Sequence, residues 1–153
     1  MISLTLFKSI YDNKTHKRID CNSYTEFEKL LFDLAKQPRK DKKSAQLISP
    51  ATYKPDTTRA NNNVIGWAGW TAVDVDEHVF EGNLEEELIK HYGKWNHVVY
   101  STASSTKEHP KFRIVFPLSV DVPKDKIKHF WFALNKELKC VGDPQTKDLS
   151  RMY

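Results

Sequence analysis

The segment VIGWAGWTAVDVD at residues 64–76 constrains this chain more than any other. Its β-branched and aromatic content reads as a buried strand, or as a strand pair with two glycine interruptions. It ends in Asp74 and Asp76. Strand residues two apart point to one face, so the two carboxylates project side by side. Carboxylates that close repel each other unless one is protonated or a cation lies between them. A divalent ion is the natural remedy, and carboxylate oxygens suit Mg²⁺ or Mn²⁺. The plain alternative is a hydrated acid pair at an exposed strand end.

The rest of the chain alternates between two periods. Residues 2–10 alternate apolar and polar as a strand does, and 11–22 are polar and turn-rich. From Ser23 the period changes. Tyr24, Phe27, Leu30, Leu31 and Leu34 share a helical face, and Ser23 with Glu26 has capping-box spacing. Residues 45–49 suggest a short strand, and 51–63 have loop chemistry. Residues 83–92 read as a helix with acids in its first turn and Gly93 as its stop. HVVYS at 97–101 and KFRIVFP at 111–117 read as strands, separated by a hydroxyl-rich loop. Residues 123–139 carry the stripe Ile127, Phe130, Trp131, Leu134 and Leu138 of an amphipathic helix. The tail GDPQTKDLSRMY holds a turn and then the start of a strand. This order predicts an α+β fold, with helices on one face of a mostly antiparallel sheet.

Length and composition narrow the class. A chain of 153 residues has room for one domain, 1–153, with its own core. Mean hydropathy is −0.62, and no apolar run approaches the roughly 20 residues of a membrane span. The N-terminus lacks the basic and apolar regions of a secretory signal. Cys21 and Cys140 are too few for a disulfide scaffold, and no CxxC pair supports a zinc ribbon. They read as reduced thiols of a cytosolic protein. A net charge of +4 permits a polyanionic partner without demanding one.

Further groups point to phosphate chemistry. The loop STASSTKEHP precedes a strand bearing Lys111 and Arg113, and hydroxyls, backbone N–H groups and cations at such a corner make a phosphate cradle. Ser104 and Ser105 lie in it. It has no glycine, so it is not a Walker A loop. Arg59 and Arg151 are additional candidates for phosphate or template contact. A third acid would complete a two-metal phosphoryl-transfer site, and spacing leaves Asp143 and Asp148 equally open. His78 and His109 flank the two motifs. Trp67, Trp70, Trp95 and Trp131 read as core.

Three pieces occur in order: the strand ending in DVD, then YSTASSTKEHPKFRIVFPLS, then GDPQTKDLSRMY. Together, across residues 45–153, they resemble the archaeo-eukaryotic primase superfamily, specifically the primase–polymerase domains of phage and plasmid replication proteins. The resemblance implies that Asp74 and Asp76 bind catalytic metals. It implies Asp143 as the third acid, with Asp148 as runner-up. It aligns Ser105 with the slot where relatives place a phosphate-contacting histidine, a departure that leaves Lys107, His109, Lys111 or Arg113 to supply the donor. It implies an N-terminal αβ unit and an RNA-recognition-like unit with the acids in the cleft between them. The implied activity is template-directed nucleotidyl transfer, with two Mg²⁺ or Mn²⁺ ions as cofactors. The implied partners are nucleoside triphosphates, a single-stranded DNA template and a helicase domain or protein, with no membrane. The implied location is the cytoplasm of a bacterial or archaeal host, and the chain is expected to be a module of a longer replication protein. The basic loop 39–43 is a candidate for template contact.

Two other classes compete. A strand-binding module without catalysis would fit the missing histidine, but three acids in a polyanion-binding cleft are costly without metals. A rolling-circle nuclease needs a His-x-His pair, which this sequence lacks.

Overall fold

Turn chemistry and strand pairing divide the chain into short elements. The computed structural model describes residues 1–38, 40–78, 80–139 and 141–153. Within these, the strands are β1 (Ile2–Phe7), β2 (Arg18–Cys21), β3 (Leu47–Ser49), β4 (Ala51–Tyr53), β5 (Val64–Trp67), β6 (Trp70–Val75), β7 (Val98–Ser101), β8 (Phe112–Pro117) and β9 (Val122–Pro123). The helices are α1 (Tyr24–Ala35), α2 (Leu84–Tyr92) and α3 (Ile127–Glu137). Arg39 of the basic loop and Cys140 lie outside the described residues.

The fold is mixed α and β, and its strand pairings are antiparallel. The expected single sheet is instead three small ones, ordered β2-β1-β3, β4-β5-β9 and β6-β8-β7. The split falls at Ala68-Gly69. Gly69 has φ +76, and a Cβ there would lie 2.9 Å from the Met1 carbonyl oxygen. A side chain would clash where glycine lets the backbone turn. The apolar run is therefore two strands, β5 and β6, in different sheets.

Other expectations need correction. The turn-rich stretch 11–22 contains β2, and the loop stretch 51–63 begins with β4. Both strands are too short to show an alternation. The tail forms no strand; Pro144–Lys147 is a 3-10 turn. Its end still ties into the fold, because Tyr153 exchanges two backbone hydrogen bonds with Ile48, at 2.7 and 2.8 Å.

The helices form where their local signals lie. Ser23 Oγ accepts the Glu26 N–H at 3.1 Å, and the Glu26 carboxylate accepts the Asn22 N–H at 2.7 Å, closing the start of α1. Asn83 caps α2 in the same way through the Glu86 N–H. Helix α3 buries Ile127 and Trp131 of its stripe.

Three apolar clusters hold the sheets together. Trp70 and Ala72 of β6 pack with Ile2, Leu4, Phe27 and Leu31. Val73 and Val75 face the other way, toward Leu88, Tyr92 and Leu138. Trp67, Val122, Ile127 and Trp131 form the third cluster. Strand β6 is thus buried on both faces along its length. Strands β6 and β7 both run antiparallel to β8 between them, so they are parallel to each other and joined through α2, a split β-α-β unit.

Candidate functional site

At the end of β6 the buried strand turns polar. Asp74 follows Trp70 and Ala72 on one strand face and is only 6% exposed. The β6–β8 register places Arg113 directly opposite it. Arg113 Nε donates to Asp74 Oδ1 at 2.5 Å, and Nη2 donates to Oδ2 at 3.3 Å. Its Nη1 donates to Tyr100 Oη at 3.1 Å, and its guanidinium lies 4.9 Å from the Tyr153 ring centre. From the tail, Arg151 Nη2 reaches Asp74 Oδ2 at 3.4 Å.

This fork is charge-assisted and bidentate, the strongest form of such contacts. Burial opposes the Arg113 charge, but Tyr100 and Asp74 outweigh it and raise its pKa above the ordinary arginine value. Burial pushes the Tyr153 hydroxyl well up, reinforced by Asp74. That hydroxyl donates to the Ala72 carbonyl at 2.7 Å and so fixes the tail against β6.

Asp76 lies further out and is exposed. Lys111 Nζ stands 3.9 Å from its Oδ1. The expectation of a same-face acid pair therefore has two different members: one carboxylate held by arginines, the other open to solvent.

Asp143 is brought to Asp74 by the backbone. Its N–H donates to the Asp74 carbonyl at 2.8 Å. The approach is close: a Cβ on the preceding Gly142 would lie 2.7 Å from both Asn135 Oδ1 and Val73 Cγ1. Asp143 Oδ1 accepts the Gln145 N–H at 2.9 Å and caps the 3-10 turn. Thr146 locks that turn, donating to the Asp143 carbonyl at 2.6 Å and accepting Trp131 Nε1–H at 2.8 Å. Asp148 is placed elsewhere, where it accepts Asn61 Nδ2–H at 2.8 Å.

The hydroxyl-rich loop closes largely on itself. Ser105 Oγ accepts the Lys111 N–H at 2.9 Å, and Thr106 Oγ1 accepts the His109 N–H at 3.0 Å. Ser104 is exposed. Arg59 is anchored by its backbone to Asn13, and among the described residues no ion pair links it to the acids. The Nε atoms of Arg59 and Arg151 are buried without a partner, as is Tyr53 Oη. His78 has a bracing position: its Nε2 lies 2.9 Å from the Pro110 carbonyl, and its ring stacks on Phe80. His129 is exposed on α3.

Sequence reasoning passed over Tyr100 and Tyr153. Tyr100 had a signal, since it alternates with Val98 on the face that Arg113 shares across the ladder. Tyr153 had none.

Among the described residues no three Asp, Glu, His or Cys side chains converge into a ready metal cage. The donor chemistry of the pair still fits a hard divalent cation. Asp74 at the end of β6 and Asp76 just beyond it offer carboxylate oxygens, and among the described residues the one ion pair of Asp76 is the long lysine contact.

Fold and site together define a mixed α/β protein in which one acid at the end of a strand, Asp74, and one just beyond it, Asp76, are framed by arginine, lysine and tyrosine. Comparison with protein family models, curated proteins and solved structures finds no match for the chain.

Proposed function

We propose that this chain is a primase–polymerase catalytic domain that performs template-directed nucleotidyl transfer in phage or plasmid replication. The observation that carries this reading is the paired carboxylates Asp74 and Asp76 at a strand end, framed by Arg113, Arg151 and Lys111. Such a site takes a polyanion together with its cations. Three acids and three cations balance there, so a triphosphate with two divalent ions would enter without adding much net charge.

Asp74, Asp76 and Asp143 would hold Mg²⁺ or Mn²⁺. Bound there, the ions would lower the pKa of the attacking hydroxyl and stabilise the leaving pyrophosphate. Lys111, Arg113 and Arg151 bind and orient phosphates, with Ser104 at the exposed loop. The unpartnered Nε–H groups of Arg59 and Arg151 are donors that lack an acceptor, as expected of groups that await a ligand. An αβ unit before the cleft and an RNA-recognition-like unit built on the split β-α-β follow from this reading. So do a single-stranded template, a helicase partner and the host cytoplasm.

The test is primer synthesis and extension on single-stranded DNA with labelled nucleotides and Mg²⁺ or Mn²⁺. Asp76→Asn is the informative variant, because Asp76 is exposed and lies outside the buried strand. Metal-dependent product that disappears in Asp76→Asn supports the reading. One observation favours a strand-binding module without catalysis: both Asp74 oxygens already accept from arginines. Strand binding that is indifferent to metal, with no product, would select that module.

A further inference from the structure

The outer face of α3 breaks the rules that the other helices obey. Helices α1 and α2 have acids in their first turns and side-chain caps. Helix α3 itself has neither, and the 3-10 turn that leads into it carries Lys124, Asp125 and Lys126, with Lys128 following in its first turn. Cations there oppose the helix dipole. Lys126 is offset by Asp125 at 3.7 Å and Lys124 donates to the Asn62 carbonyl at 3.0 Å, whereas Lys128 has no carboxylate partner among the described residues. Lys128, Phe132 and Lys136 follow at intervals of four and share one exposed face. Phe132 is 56% exposed, and Lys147 from the 3-10 turn lies 5.5 Å from its ring centre. Among the described residues, Lys124, Lys128, Lys136 and Lys147 are in no ion pair with a carboxylate. Lys124 and Lys128 also line an open groove of about 590 Å³ with Asn61, Ile65, Leu149 and one acid, Asp125.

We infer that this face binds single-stranded nucleic acid, with lysines along the phosphate backbone and one base stacked on Phe132. Spaced, unneutralised ammonium groups suit a chain of phosphates. An exposed ring among them suits a base face, which every nucleotide offers regardless of sequence. Folded duplex would hide its bases from Phe132, so the single strand is the partner that uses both features. The face is tied to the acid site through one short segment. Lys147 and Asp143 flank the same turn, and Asp143 is bonded to Asp74. The inference takes its partner class from the proposed function, but it concerns binding alone.

Fluorescence anisotropy of a labelled oligothymidylate, with metal chelated and salt varied, tests it. Phe132→Leu keeps an apolar side chain and removes the ring, and should weaken binding about fivefold or more. Phe132→Trp should restore it. Lys128→Ala, Lys136→Ala and Lys147→Ala should each flatten the log affinity against log salt slope by about 0.7. Binding is read with metal chelated and no nucleotide present, so failed polymerisation and failed strand binding are read separately. Strand binding unchanged in all these variants overturns the inference. So does an absence of strand binding, including the case in which the face takes anionic lipid vesicles instead.

Discussion

Arg113 stands directly across the ladder from Asp74 and holds both of its carboxylate oxygens, at 2.5 and 3.3 Å. The pair sits where a doubly buried strand ends, and each side chain is largely removed from water. A buried pair of this kind adds little net stability, yet losing one partner is expensive, because the other charge is left stranded.

Asp74→Asn should therefore lower stability by about 3 kcal/mol. Pairing it with Arg113→Met should recover part of that loss, because the most buried charge pair goes together while Arg151, which is more exposed, is left without its carboxylate. Urea unfolding of the two single variants and the double variant measures the coupling. Additive losses would show that the two side chains act independently.

The two serines of the hydroxyl loop should behave differently. Ser105→Ala removes the acceptor of the Lys111 N–H and should cost about 1 kcal/mol. Ser104→Ala, at an exposed position, should leave the denaturation midpoint unchanged. Nucleotide affinity measured on the Ser104 variant then reports ligand contact and not loop collapse.

Gly69→Ala should destabilise by roughly 1–3 kcal/mol. Its φ of +76 is strained for any side chain, and the added carbon meets the Met1 carbonyl oxygen. A thermal melt of this variant beside Gly82→Ala makes the comparison. Gly82 has a similar φ of +79 but open space around its Cβ, so its loss should be the smaller.

Burial pushes the Tyr53 hydroxyl up to about 12 from an ordinary value of 10.0. The folded state thus keeps a proton that the unfolded chain releases. Its contribution to stability is intact below about pH 10 and falls as pH rises toward 12. Tyr53→Phe should flatten the stability curve in that window. Below it the variant should lose little, because the hydroxyl has no hydrogen-bond partner. Equal slopes for both proteins between pH 10 and 12 would refute this.

What could be read from the sequence follows from the range of the forces involved. Ser23 with Glu26, Asn83 with Glu86, and the stripe of α3 act within one or two turns, so a short window contains the whole cause. Strand period likewise places Asp74 on the face of Trp70 and Ala72, but it does not reach Asp76, because β6 ends at Val75 and Asp76 lies in the bend beyond it. Strands β2, β4 and β9 had no such signal, because two to four residues cannot display a period and their pairing depends on distant neighbours.

The sequence by itself determined the α and β elements with local caps and the polar ending of β6. Tertiary structure decided what surrounds that ending. Arg113 reaches Asp74 across 39 positions and Arg151 across 77, and Asp143 arrives through a turn locked by Trp131 and Thr146. Contacts that span such distances depend on strand register and on how the tail lies along β6. Both are set by burial of the whole core, which no local pattern encodes.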